Sequence, residues 1–308
     1  MGDLRDRFKG VFTALITPFR DGTIDHDAYG ALVNRQLEAG VAGLVPVGTT
    51  GEAATLSDDE AEELIRRTVE LAKGRALVVA GAGANDTKKA VEKARRAEQA
   101  GADALLVVTP YYNKPAQAGL IAHYRAVAEA TSLPVMLYSV PGRCGVEIAP
   151  ETCARLVAEC PNIVAIKEAG GNPLRVTQLR AACGDELIIH SGDDALTLPF
   201  LALGAVGVTS VVSNVAPREM AAMVDAWFAG NMGEALAIHE RMSELAEAMF
   251  IESNPGPVKA ALSILKLAGP EMRLPLVPVS KVTHGRLVDV LSRFSNTVGE
   301  IGELQKAC

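Results

Sequence analysis

Residues 97–109 read Ala97-Glu98-Gln99-Ala100-Gly101-Ala102-Asp103-Ala104-Leu105-Leu106-Val107-Val108-Thr109. A charged stretch of helical character ends in Ala-Gly, an apolar run follows, and a polar residue closes it. Glycine suits the residue after a helix, where the chain turns into the left-handed region that a Cβ disfavours. The apolar run does not alternate with polar residues, which suits a strand covered on both faces, as parallel strands between helices are. The passage recurs. Gln36-Leu37-Glu38-Ala39-Gly40 leads into Gly43-Leu44-Val45-Pro46-Val47, and Leu201-Ala202-Leu203-Gly204 leads into Gly207-Val208-Thr209-Ser210-Val211.

Working outward from this unit, strands are expected near 11–17, 43–48, 77–82, 104–109, 134–140, 163–168, 187–191 and 207–212, with helices between them. Ser57-Asp58-Asp59-Glu60 fits a capping box, and Asp86-Thr87 gives another helix start. A series of strand–helix units favours an α/β fold closed as a (β/α)8 barrel. The alternative is an open doubly wound sheet. Its dinucleotide-binding form needs a Gly-rich turn after the first strand, and here that strand runs into Thr17-Pro18-Phe19-Arg20. Beyond residue 217 only helices are expected, over 217–229, 231–250, 255–268 and 280–305. The division is therefore a barrel over 1–229 and a C-terminal helical extension of the same domain over 230–308.

Composition narrows the function. The 308 residues are 49% hydrophobic and 22% charged, ordinary for a globular chain able to bury a large core. The formal charge of −7 comes without a basic cluster, which sets a nucleic-acid surface aside. Cys144, Cys153, Cys160, Cys183 and Cys308 are odd in number and form no CxxC pair. A disulfide framework and a structural zinc site are thereby disfavoured, and a reducing cytoplasm is the simplest setting. The N-terminus is charged and has no apolar signal-peptide core; Asp6 stands where a myristoylation motif wants Ser or Thr. No apolar run is long enough to span a bilayer. His26, His123, His190, His239 and His284 make no ligand spacing, so no metal is expected.

In a barrel of this kind, reactive side chains belong at the C-terminal ends of the strands. Lys167 lies in Ile163-Val164-Ala165-Ile166-Lys167-Glu168. Alternation puts Ala165 and Lys167 on one face, Val164 and Ile166 on the other. The bulky pair should meet the helices, turning Lys167 into the barrel. An enclosed lysine loses solvation, which favours its neutral amine, and a neutral amine can attack a ketone to form an imine. The plainer alternative is a lysine paired with a core carboxylate. Tyr138 ends the preceding strand, where a phenol can relay protons or simply pack the barrel mouth. Gly48-Thr49-Thr50-Gly51-Glu52 offers amides and hydroxyls to a carboxylate, or is an ordinary turn. Of the neighbouring Tyr111 and Tyr112, one can face the site and the other a second subunit; interface packing alone is also open. Arg143, on a loop flanked by Gly142, can clamp a carboxylate or form a surface ion pair. Cys144 beside it reads as a packing residue. Ser191-Gly192-Asp193-Asp194 reads as a turn whose Asp side chains cap the next helix, not as a metal site.

Taken in order, GTTGEAATL at 48–56, TPYYNKP at 109–115, YSVPGRCG at 138–145, IKEA at 166–169, SGDD at 191–194 and NPGPVK at 254–259 make the chain similar to one family. It resembles the dihydrodipicolinate synthase (4-hydroxy-tetrahydrodipicolinate synthase) family from about residue 9 to at least 280. That family belongs to the pyruvate-dependent class I aldolases that include N-acetylneuraminate lyase. The resemblance implies a lyase that needs no cofactor beyond a covalent imine between pyruvate and Lys167. Tyr138 would be the proton donor and acceptor, Thr49 the relay threonine between two tyrosines, and Tyr112 the tyrosine inserted from a neighbouring subunit. Thr50 would bind the pyruvate carboxylate and Arg143 that of aspartate 4-semialdehyde; Gly192 and Thr209 join Thr49 among the substrate-binding residues. It further implies a cytoplasmic homotetramer built from tight dimers, acting in lysine and diaminopimelate biosynthesis.

The chain departs from the family pattern at Ser139, usually Asn, and at Cys144, usually Thr. Where lysine-inhibited members carry His and Glu in a regulatory site, this chain has Asp58, Ala61 and Lys89. A cation at Lys89 repels an ammonium, so weak or absent lysine feedback is expected. Another aldolase, lyase or dehydratase of the superfamily is the alternative activity, against which Pro141-Gly142-Arg143 argues. A non-catalytic barrel is the alternative class, against which the Lys/Tyr/Thr/Tyr set argues.

Overall fold

The computed structural model describes residues 2–294. Eight parallel strands close into a barrel: β1 Gly10–Ala14, β2 Gly43–Val45, β3 Leu77–Gly81, β4 Ala104–Val108, β5 Val135–Ser139, β6 Ile163–Glu168, β7 Ile188–Ser191 and β8 Gly207–Ser210. Each pairs with the next, and β1 closes the ring against β8 through Gly10↔Gly207 to Thr13↔Ser210. The strands alternate with helices α1 His26–Glu38, α2 Asp58–Ala72, α3 Thr87–Gln99, α4 Gln117–Glu129, α5 Pro150–Glu159, α6 Leu174–Cys183, α7 Thr197–Ala202 and α8 Pro217–Phe228. Three more follow: α9 Met232–Ala248, α10 Gly256–Ile264 and α11 Lys281–Arg293. The end of the helix expected over 280–305, and Cys308, lie outside the described residues. Among the described residues no helix is long and apolar enough to cross a membrane.

Local chemistry explains the punctuation. Ser57 and Glu60 form a reciprocal capping box on α2, and the Asp86 carboxylate accepts from Lys88 N to start α3. Gly40, Gly101 and Gly204 take positive φ after α1, α3 and α7, as the repeat requires. Several strands stop short of expectation. The apolar residues at 15–17, 46–48 and 211–212 remain mostly buried but turn off the ladder, so hydrophobicity overstates strand length there. A two-stranded hairpin, Phe19–Arg20 with Thr23–Ile24, was not expected; its strands are too short to show a period.

Two apolar layers sit on either side of the sheet. Leu105, Val107, Leu137 and Ile166 face outward and join helix residues in one cluster. Phe12, Val79, Leu106, Met136, Ala165 and Ile188 face inward and fill the barrel. One expectation fails at β6. Val164 packs with the inward set, because the register slips between Val135↔Ile163 and Met136↔Ala165 and leaves Val164 as the extra residue. Alternation resumes at Ala165, so Lys167 points inward as expected. The SGDD turn also needs correction. Asp193 caps the next turn through Ala195 N at 3.0 Å. Asp194 is buried instead and braces the end of β8, accepting from the Ser210 hydroxyl and from Val211 N at 2.9 Å.

Candidate active site

The closed sheet sets Tyr138, Lys167 and His190 side by side, through the pairs Tyr138↔Lys167 and Lys167↔His190 on β5, β6 and β7. All three are buried, with Lys167 only 5% exposed. The Lys167 Nζ lies 4.4 Å from the Tyr138 ring centroid. Gly192 gives the lysine room: a Cβ there would sit 3.1 Å from Lys167 Cε and 2.6 Å from Ala169 Cβ. The next residue, Glu168, faces the other way. Its carboxylate accepts from Gly170 N at 2.8 Å and meets Arg175 Nη2 of α6 at 3.4 Å. Burial holds this carboxyl above the usual range, against the pull of Arg175. The pair anchors the strand end that bears the amine.

His190 was not singled out in the sequence. Its Nε2–H donates to the Phe8 carbonyl at 2.6 Å, which leaves Nδ1 to accept from the Thr209 hydroxyl at 3.3 Å. The ring packs edge-on to Phe12 with centroids 4.7 Å apart. Burial pushes its pKa down to about 4, and the Lys167 charge adds to the fall. Thr209 is thus buried in β8, bonded to His190 inside the barrel.

The carboxylate-binding candidates sit on the rim. Thr50 Oγ1 accepts from Asn254 Nδ2 at 3.0 Å, and Arg143 Nη2 donates to the Asn254 carbonyl at 3.0 Å. The turn after Thr50 is held by a fully buried ion pair, Glu52 Oε1 to Lys259 Nζ at 2.5 Å. The same ammonium donates to Thr17 O at 2.9 Å, and Glu52 Oε2 accepts from Arg273 N at 3.1 Å. Burial pushes the Lys259 pKa down while Glu52 opposes it. Asn254, Lys259 and Glu52 therefore build the site, although sequence reasoning gave them no role. The signal for Asn254 and Lys259 was the NPGPVK segment and for Glu52 the GTTGEAATL segment, which meet across more than 200 residues of chain.

A cleft of about 910 Å3 opens at the barrel mouth, lined by Thr49, Tyr111, Tyr138, Arg143, Cys144 and Asn254 among others. It continues to Asp58 and Lys89, two of the three positions compared with the regulatory site. Thr50, Lys167, Gly192 and Thr209 are not part of that lining. Nor is Tyr112, which is 90% exposed with a positive φ of 72° and is not brought to the other site residues within this chain. Burial pushes the Cys144 thiol up to about 11 against the pull of Arg143, so it is a protonated packing group. Among the described residues no three His, Cys, Asp or Glu side chains gather as a metal site.

The family model of the dihydrodipicolinate synthetase family matches residues 7–294. The chain belongs to that family. Relatives cover nearly its whole length. The 4-hydroxy-tetrahydrodipicolinate synthase of Nitratidesulfovibrio vulgaris (strain DSM 19637 / Miyazaki F) is 48% identical, spanning 93% of this chain and 98% of its own. The structure of the same-named synthase from Methylacidiphilum fumariolicum SolV superposes with a TM-score of 0.92 at 47% identity, covering 94% and 97% of the two chains. A monomeric dihydrodipicolinate synthase variant gives 0.93 at 43%, covering 96% and 99%. Membership in the synthetase family bears out both the barrel and the expectation of an enzyme.

Proposed function

We propose that the chain condenses pyruvate with aspartate 4-semialdehyde through an imine on Lys167, giving 4-hydroxy-tetrahydrodipicolinate. The observation that carries this reading is the buried Tyr138–Lys167 pair, fixed on adjacent strands with the amine 4.4 Å from the ring. The lysine amine adds to C2 of pyruvate, and the carbinolamine loses water to form the imine. Loss of a methyl proton gives the enamine, with the Tyr138 phenol moving protons at each stage. The enamine carbon attacks the aldehyde held by Arg143. The amino group of that substrate then adds to the imine carbon, closes the ring and expels the Lys167 amine. The scheme draws on no metal or dissociable cofactor.

Thr49 fits the relay role from the cleft wall and Thr50 the pyruvate-carboxylate role from the buried turn beneath it, with Gly192 against the Lys167 side chain and Thr209 bonded to the neighbouring His190. Tyr112 supports a site completed by a second copy: its side chain is 90% exposed and, among the described residues, does not line the cleft of its own chain. A cytoplasmic homotetramer of tight dimers is the assembly proposed. Lys89 on the cleft wall supports weak or absent inhibition by lysine, and tight saturable inhibition would contradict it.

The test is borohydride reduction with pyruvate, mass mapping of the adduct, and a coupled assay with aspartate 4-semialdehyde. A pyruvyl adduct on Lys167 with turnover is expected. No adduct on the folded protein overturns the scheme; an adduct without turnover moves the aldehyde to another 2-oxo acid aldolase reaction.

A further inference from the structure

Asn254 precedes α10 in the C-terminal part of the chain, is 94% buried by its relative exposure of 6%, and touches two rim residues at once. Its side-chain amide donates to Thr50 Oγ1, and its main-chain carbonyl accepts from Arg143, each at 3.0 Å. A hydroxyl has one proton and two lone pairs. With a lone pair of Thr50 taken by an amide donor, its proton is left for another acceptor, such as a carboxylate. Arg143 gives one N–H to the Asn254 carbonyl and keeps the rest of its fork for a second carboxylate.

The Asn254 Oδ1 is buried without a partner among the described residues. As a packing element the amide is therefore a costly choice; what it supplies is the N–H aimed at Thr50. Its backbone is held in turn. Lys259, five residues on, is locked to Glu52 and Thr17, so both ends of the contact are anchored in the same buried ion pair.

We infer that Asn254 is a positioning residue that aims the Thr50 hydroxyl at the pyruvate carboxylate and fixes Arg143 for the second substrate. The inference rests on the function proposed above. Because the side chain serves Thr50 and the main chain serves Arg143, side-chain substitution acts on pyruvate selectively.

The measurement is the pyruvate concentration that half-saturates borohydride trapping on Lys167, in the full chain, beside the thermal midpoint. Asn254→Ala is expected to raise it about tenfold, the equivalent of one lost hydrogen bond to a charged ligand's partner. Asn254→Asp keeps the shape but accepts from Thr50 instead of donating, and is expected to raise it at least as much. In a Thr50→Val background Asn254→Ala should add nothing, since the contact is already gone. Half-saturation unchanged in Asn254→Asp, or shifted equally with and without the Thr50 hydroxyl, overturns the role. Should Asn254→Ala fail to fold, the isosteric Asp variant decides alone. Wild type that gives no adduct overturns the functional reading itself; wild type that is trapped beside unaffected variants overturns this role only.

Discussion

The barrel interior and its rim hold their functional groups by different means. Inside, Tyr138, Lys167 and His190 are neighbours because a closed sheet in fixed register makes them so. On the rim, Thr50 stands on a turn and Arg143 in the one-turn helix Pro141–Cys144, where the sequence suggested a loop; both take their positions from Asn254, while Lys259 pins the adjoining turn. Covalent chemistry needs sub-ångström placement, which strands supply better than loops do. Substrate carboxylates need groups that can be exchanged for others without disturbing the sheet. The contrast implies that interior changes strike rate and rim changes strike affinity or stability.

Tyr138→Phe offers the largest test. Removing the phenolic proton should lower kcat by about 10²–10⁴-fold, the range of general acid–base catalysis, with the fold intact. A loss smaller than tenfold, in steady-state assay, breaks the claim that the interior pair carries the chemistry. Lys259→Met comes next and attacks the rim. It strands the Glu52 carboxylate in a fully buried site, which costs about 3–5 kcal/mol. Urea denaturation should show that loss, and pairing it with Glu52→Gln should recover much of it. A single variant as stable as wild type would mean that the ion pair does not hold the rim.

The same contrast decided what could be read from the sequence. Lys167 and Tyr138 were legible because a strand end is a place defined by local pattern: an apolar run stops, and the residue there faces the barrel mouth. Val164 was misread because a one-residue register slip is invisible without the partner strand. Rim geometry was hardly legible. The Gly48–Glu52 turn and Arg143 stood out as carboxylate-binding candidates, and resemblance gave Thr50 and Arg143 their separate roles, but their common partner Asn254 is joined to Thr50 across 204 residues of sequence. Lys259 looked like one cation among thirty Lys and Arg, and only the fold shows it fully buried. His190 gave no signal, since its place depends on Phe8, 182 residues away, and on Thr209 in the next strand.

Arg143→Ala sharpens the rim side. Losing a charge-assisted contact worth about 1.5–3 kcal/mol should raise KM for the aldehyde by roughly 10–100-fold. Trapping of pyruvate on Lys167 should change little. Equal damage to both steps, measured by trapping and by steady-state assay, would erase the separation of roles along the cleft.

Per pH unit, the smallest effect belongs to His190 and is thermodynamic. Its pKa is pushed from an ordinary 6.5 down to about 4 in the folded chain, chiefly by burial, with Lys167 adding to the fall and the Phe8 carbonyl opposing it. Between those values the unfolded chain binds a proton that the folded chain refuses. The stability linked to this group is therefore complete above pH 6.5 and drains away as pH falls toward 4, at up to about 1.4 kcal/mol per pH unit. His123 shares the window, also lowered to about 4 by burial. The buried carboxyls Glu168 and Asp194 shift upward, and so act in the opposite sense. The informative quantity is thus a difference. Urea-derived stability from pH 7 to 4.5 should fall less steeply in His190→Gln than in wild type, by about one proton's worth of slope. His123→Gln should do the same without touching the row of Lys167, so it calibrates the effect of burial alone. If His190→Gln leaves the slope unchanged, the interior histidine is already protonated in the folded chain. A cation would then stand beside the lysine amine, and the electrostatics assigned to the barrel interior would be wrong.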